Sequence, residues 1–374
     1  MTTPVQARLA VVLDSGDDAA FTHEALAAHA PHAGRITLHP APGTTSDTAL
    51  AGDLLYALGK PAHLPGRFPH GRPPLWEAAS AWTTALAVTR LTVLRAHLLD
   101  DRRLQRLLAL WRQTGIHLTL VVHRPRLTAA LTRALAAVPH TRTSTLAAAR
   151  ALYFDGRPPA AGASARAAAF AACGPGRWLT LPSLDRLVSY DSPGPCTGPC
   201  VPGLIDWRQR PAPEPLTAAQ AAHAVRRIHG ATAHPRLAAA LASTLFTGAS
   251  FQQLATARGD DFHDYPALLA LHDRIRFTDG CAAHPVPTWA AVFLRAATCF
   301  ARLTGTAYLL AEPSERPALL RLAETARLRP PQPPGVRSGG RPDTAVWDWR
   351  EVVEARAGSG RRRTPAGHGQ GAGP

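Results

Sequence analysis

The segment Ala10–Ala30 constrains the fold most. Ala10, Val11, Val12 and Leu13 form a short apolar run of the buried-strand type, Asp14-Ser15-Gly16-Asp17-Asp18 reads as a turn, and Ala19–Ala30 is a helical stretch. Units of this kind recur downstream. Arg35–His39 is strand-like and leads through the proline- and threonine-rich Pro40–Thr45 into a helix over Asp47–Leu58. Trp76–Leu86 is helical and Leu91–Leu94 strand-like. An amphipathic helix then carries Leu104, Leu107, Leu108 and Trp111, and Ile116–Val122 is a further strand. Such alternation predicts an α/β domain over residues 1–150.

The first strand–loop–helix junction stands where a phosphate-cradling loop would be written G-x-x-x-x-G-K-[ST]. Glycines there let backbone N–H groups approach phosphates, the lysine neutralises charge, and the hydroxyl holds Mg²⁺. Here the register reads Ser15, Ala20, Phe21 and Thr22, so only the hydroxyl position survives. Phe21 cannot replace an ammonium, and Asp17 and Asp18 put negative charge where a triphosphate would sit. The later strand should end in Asp-Glu, for the metal and for water, but the chain has Leu94-Arg95-Ala96-His97. ATP hydrolysis is therefore not expected, and no cofactor is.

The stretches VVLDSGDDAAFTHEAL, ITLHPAPGTTSDTALAGDLLYALG, LTVLRAHLL and IHLTLVVH resemble the AAA+ ATPases that accompany transposases, the TniB type. That resemblance, over residues 7 to about 140, implies a P-loop-like three-layer αβα core on a parallel sheet. The departures at Phe21, Leu94 and Arg95 fall on the catalytic positions, so the family's activity is not carried over. An ordinary α/β domain of the same strand spacing is the alternative.

Of the 374 residues, 41 are Lys or Arg against 26 Asp or Glu, a formal net charge of +15 that fits a polyanion partner such as double-stranded DNA. Lys60 is the only lysine, so the charge is almost all arginine and also matches a GC-rich coding sequence. No apolar run approaches the roughly 18 residues of a membrane span, and no secretory signal is visible. A cytoplasmic protein with no membrane partner is expected. Five cysteines suit reduced thiols better than a disulfide framework.

Residues 151–215 read as a Pro/Gly-rich linker or surface strap. Cys196 and Cys200, with Cys173 as a third thiolate, are the one weak metal candidate there, short of the four ligands structural zinc uses. From 216 to 328 the chain reads as mainly α-helical: a capped helix over Ala218–Ile228, another from Pro235 through Leu237, Leu241 and Leu245, and a third from Ser250 to Ala257. Phe251, Ala255 and Gly259 suit a helix-turn-helix, although Pro266 interrupts the helix that would enter the groove.

The stretch HPRLAAALASTLFTGASFQQLATARGDDF also resembles the first conserved box of tyrosine recombinases, followed by a hairpin with Arg274–Thr278 and a helix over Trp289–Leu303. That resemblance implies a catalytic arginine at the position of Ser250, and it is missing. So are a later His-x-x-Arg box and a tyrosine beyond Tyr308, and DNA cleavage by that chemistry is not expected. A plain helical bundle is the competing reading.

Residues 329–374 read as a flexible tail with a short helix carrying Trp347 and Trp349 and the triplet Arg361-Arg362-Arg363. His263, Asp264, His272 and His284 form a His/Asp-rich stretch suited to metal or acid–base work, ranked below the other readings.

The sequence thus leads to a non-catalytic, DNA-associated accessory of a mobile genetic element, partnered by DNA and by a transposase, recombinase or other protein. Arg226, Arg227, Arg236 and Arg258 are its expected phosphate contacts. The alternative is an interaction scaffold whose charge reflects composition alone.

Overall fold

The structure is a computed structural model that describes residues 9–41, 46–66, 68, 71–154, 179, 181, 183, 184, 187, 202–204, 213–272 and 281–329. Strands β1 (Leu9–Leu13), β2 (Arg35–Leu38), β3 (Arg90–Val93), β4 (His117–Val122) and β5 (Thr141–Thr143) form one parallel sheet in the order β2-β3-β4-β1-β5. Helices α1 (Ala19–Ala27), α2 (Asp47–Ala57), α3 (Leu75–Ala85), α4 (Asp101–Thr114), α5 (Ala129–Leu135) and α6 (Leu146–Phe154) connect the strands or follow the last of them.

The two-residue period of a strand sorts the side chains between the faces. Leu9, Val11, Leu118, Leu120 and Val122 point into a large cluster with α2, α3, α4 and α5. Val12 and Val121 point the other way, into a smaller cluster made by Phe21, Ala25 and Ala28 with Ala149, Tyr153 and Phe154. Helices therefore cover both faces, and the β-strands are buried enough to read as continuous apolar runs.

The second half contains α7 (Ala218–Ala231), α8 (Pro235–Thr247), α9 (Phe251–Leu254), α10 (Thr288–Thr304) and α11 (Arg316–Thr325). A mixed four-stranded sheet accompanies them, made of β6 (Gly203–Leu204), β7 (Phe262–Asp264), β8 (Ala267–Leu271) and β9 (Ala282–Pro285) in the order β6-β9-β8-β7. The expectation of a mainly helical second half holds for the helices and omits this sheet. The hairpin strands are β8 and β9. The expected strand Arg274–Thr278 lies outside the described residues, as do Cys173, Cys196, Cys200, Trp347, Trp349 and the arginine triplet.

The break expected between residues 151 and 215 does not separate two cores. α3 packs against α8 and α10, and one apolar cluster runs from Leu9 to Leu328. Leu181, Leu184 and Leu187, inside the expected linker, are buried in it. Trp82 Nε1 donates to Ala233 O at 2.8 Å, and a His229 ring nitrogen lies 3.0 Å from Leu58 O, hydrogen bonds that join the halves.

Gly59 ends α2 in the left-handed region (φ +76°), and an added Cβ would meet His229 Nε2 at 3.2 Å. That turn sends Lys60 inward. Its Nζ lies 3.3 Å from the centroid of the Trp82 ring and 5.8 Å from that of Phe293, with no hydrogen-bond acceptor among the described residues. Burial drives its pKa well below that of an ordinary lysine.

Candidate functional site

In open α/β sheets, ligands bind beyond the carboxyl ends of the strands. In this chain β1 and β4 are neighbours, and the residues just past them meet there. Asp14 N–H continues the ladder by donating to Val122 O at 2.9 Å, which sets Asp14 beside His123. His123 Nδ1 lies 2.7 Å from Asp14 Oδ2 and 3.2 Å from Asp17 Oδ1. The Asp14 carboxylate and the His123 ring are almost fully buried, whereas Asp17 is half exposed. One donor atom from each of the three residues falls within 4.8 Å of the others, so the group can chelate a metal ion.

Two carboxylates converging on one imidazole nitrogen differ from an ordinary His–Asp pair. Donor atoms about 2.1 Å from a common cation and at right angles to it lie about 3 Å apart, close to the spacings here. A mixed oxygen and nitrogen set of this kind suits Mn²⁺ or Zn²⁺ better than Ca²⁺.

Buried polar atoms without partners surround the group. His123 Nε2, His97 Nδ1 and the Tyr153 hydroxyl have no hydrogen-bond partner among the described residues. Burial, with the Asp14 carboxylate nearby, raises the pKa of Tyr153 and keeps it protonated. The His97 ring sits edge-on to His123, centroids 6.2 Å apart. Burial holds its pKa below the ordinary value, helped by Arg124, His123 and Arg95 and opposed by Asp17. Two perturbed groups, His97 and Tyr153, beside this cluster make it a candidate functional site.

The backbone is strained at the same place. Asp17 and Arg95 both have positive φ, +50° and +51°, and Arg95 Nη2 lies 3.6 Å from Asp17 Oδ1. Aspartate tolerates this region, but an arginine held there costs of order 1 kcal/mol. Strain of this kind persists where surrounding structure imposes it.

The junction between β1 and α1 is occupied by its own side chains. Asp18 is the N-cap of α1, and its carboxylate accepts from Ala20 N–H, occupying the helix terminus where a phosphate would bind. Ser15 is exposed, while Ala20 and Thr22 are half-buried in α1. Phe21 and Leu94 fill the smaller apolar cluster.

The expected phosphate contacts fare unevenly. Arg236 is a core residue, 4% exposed. Its guanidinium donates to Leu310 O at 2.9 Å, to Glu312 Oε1 at 2.9 Å and to Glu315 Oε2 at 2.5 Å. Nothing of it is left for a phosphate, which corrects that expectation. Arg227 donates to Arg327 O at 2.7 Å, and Arg226 is half-buried. Arg258 is exposed and stacks 4.2 Å above the Tyr308 ring.

Ser250 caps α9 in a capping box with Gln253 and is buried. After α9 the chain enters a 3-10 turn and strand β7, so the recognition helix of a helix-turn-helix is not formed at that point.

In the His/Asp-rich stretch, His263 is exposed, His284 is buried, and Asp264 takes Arg295 in a two-oxygen contact at 2.9 and 3.0 Å. His272 has different partners, taken up below. No helix of the described residues is long and apolar enough to cross a membrane. In comparison with known proteins, no family model, no curated protein and no solved structure matches this chain.

Proposed function

We propose that this protein is a nucleic-acid-associated accessory that works without ATPase or recombinase catalysis. Its parallel-sheet half holds a divalent cation on Asp14, Asp17 and His123 and meets phosphate oxygens through that cation, not through an ATPase or recombinase centre. The observation that carries this reading is the convergence of two carboxylates on His123 Nδ1 at the carboxyl edge of β1 and β4. Supporting it are the exposed Arg124 and partly exposed Arg95 beside the group, and a net charge of +15. The strand–loop–helix order of the α/β half, with its departures at Phe21, Leu94 and Arg95, supports descent from a P-loop-like domain and a setting in mobile-element DNA chemistry.

The cation, when bound, supplies positive charge and open coordination positions. Asp14 holds the His123 ring in place from within the core. Asp17 closes the group from the solvent side, where Arg95 offers a second cation to the same phosphate.

The test is fluorescence anisotropy of labelled random-sequence duplex across a salt series, with and without Mn²⁺. Expected is a steep loss of affinity with salt and a Mn²⁺-dependent gain that Asp17→Asn abolishes. Absence of binding at low salt in both conditions overturns the reading.

A second reading is favoured by the internal use of arginine. Arg236 and Arg227 are spent on fold contacts, as is Arg90, which donates to Leu152 O. On that reading the protein is an interaction scaffold whose charge reflects composition.

A further inference from the structure

A second constellation lies at the mouth of the β8–β9 hairpin, away from the sheet-edge group, and does not depend on the function proposed above. The register pairs Leu271 with Ala282, so His272 and Cys281 form the next cross-strand pair. His272 Nδ1 is 3.3 Å from Cys281 Sγ, and His272 Nε2 is 3.0 Å from Asp261 Oδ1. The acid and the residue bearing the ring are held in place: Asp261 Oδ2 accepts from Arg258 N–H at 2.7 Å, and His272 N–H donates to Thr256 Oγ1 at 3.2 Å.

The contrast with Asp14, Asp17 and His123 decides the chemistry. There two acids converge on one nitrogen, which suits a cation. Here thiol and carboxylate occupy opposite nitrogens of one ring, so no single ion can take all three, and the ring can pass a proton between them. The His272 and Asp261 side chains are each 17% exposed, and Cys281 is half-buried and within reach of solvent. Cys299, by comparison, is buried in α10.

We infer that Cys281, His272 and Asp261 form a nucleophilic thiol centre that takes acyl groups from ester or thioester donors. His272 Nδ1 removes the Cys281 proton. The thiolate adds to the acyl carbonyl, and the tetrahedral intermediate collapses with cleavage of the bond to the leaving group, which departs with the proton from His272. An enzyme thioester remains. Water, deprotonated by His272, then releases the carboxylic acid and restores the thiol. Cys281 and His272 are the catalytic residues, and Asp261 is a positioning residue that orients the ring.

The experiment uses the full chain with p-nitrophenyl acetate as acyl donor and follows acetylation by intact mass and peptide mapping of all five cysteines. Acetylation is expected at Cys281 ahead of the other four, lost in Cys281→Ser, slowed about 10²-fold in His272→Gln, and with a displaced pH profile in Asp261→Asn. Cys299→Ser leaves the rate unchanged. Melting curves of each variant show that it is folded, and Cys281→Ala serves if Cys281→Ser is not. Equal acetylation of several cysteines, or a folded His272→Gln variant that reacts like the wild type, overturns the inference.

Discussion

His123 Nδ1 stands 2.7 Å from Asp14 Oδ2, and the two residues are 109 positions apart in the chain. Their meeting is a product of strand order, because β4 lies directly beside β1. Asp14 Oδ1 also accepts from Asp18 N–H at 2.9 Å, so one buried carboxylate both holds the imidazole and shapes the loop that carries Asp17. Asp14→Asn keeps the shape but weakens the charge-assisted bond. We expect a loss of about 1–3 kcal/mol in urea unfolding, against less than about 0.5 kcal/mol for the half-exposed Asp17→Asn. Equal costs at the two positions would mean that Asp14 has no special structural load.

Placing a lysine at position 21 is not expected to create nucleotide binding. Phe21 is packed with Val12, Ala25 and Tyr153, and Asp18 already caps the helix. Phe21→Lys is expected to cost about 3–5 kcal/mol, because it loses a buried ring and buries a charge. It should bind a fluorescent ATP analogue no better than the wild type does. A gain in binding would show that the loop retains a phosphate cradle.

Arg236 is held among Glu312, Glu315 and the Leu310 carbonyl. Truncating one partner of a buried ionic network leaves the others uncompensated, so Arg236→Ala is expected to lose about 3–5 kcal/mol. Its salt-dependent DNA affinity should be unchanged at a temperature where it remains folded. A lower salt slope in a folded variant would return Arg236 to the list of phosphate contacts.

Lys60 carries the opposite sign. Its ammonium has aromatic rings and no hydrogen-bond acceptor among the described residues, and burial pushes its pKa far down. The unfolded chain binds this proton more readily than the folded chain does, so stability rises with pH up to the unfolded value near 10.4. Lys60→Met should match or exceed wild-type stability at pH 7 and flatten that rise. A clear loss in denaturant midpoint would show that the ring contact outweighs desolvation.

His229 and His234 govern the acid side. Burial first, then the nearby Lys60 for His229 and Arg236 for His234, brings both pKa values down to about 3. His234 is thus neutral, and its 3.7 Å approach to Glu315 is not an ion pair. Between the unfolded value near 6.5 and about 3 the unfolded state takes up protons that the folded state refuses. Each histidine therefore removes about 1.4 kcal/mol of stability per pH unit in that window, and none above it. Urea midpoints of wild type and His229→Gln should diverge at pH 7.5 and approach one another as the pH falls to 4.5. Parallel curves would mean that His229 titrates normally.

Four of the five strands of the parallel sheet were legible because their apolar runs are short, flanked by turn residues and alternate with helical stretches; β5, three residues long and polar, was not. Leu9–Leu13, Arg35–Leu38, Arg90–Val93 and His117–Val122 lie within a residue or two of their expected places. The apolar character of Phe21 was legible from its residue type, and the structure packs it with Val12, Ala25 and Tyr153. The sheet-edge group was not legible. Asp14 reads as a turn residue and His123 as a strand end, and nothing local says that β4 will lie against β1.

Arg236 was misread for the same reason. A helix-start arginine looks solvent-facing until Glu312 and Glu315, more than 70 positions on, close over it. The pairing of His272 with Cys281 depended on a hairpin register that the expected strand at Arg274–Thr278 did not provide.

The measurement that bears most directly on the central claim is isothermal titration of Mn²⁺ into the purified chain and into Asp17→Asn, which removes one ligand from the half-exposed side. The expected result is one Mn²⁺ per wild-type chain and binding weakened about tenfold or more in the variant. Identical isotherms for the two proteins, or no binding by the wild type, would contradict a cation site at Asp14, Asp17 and His123.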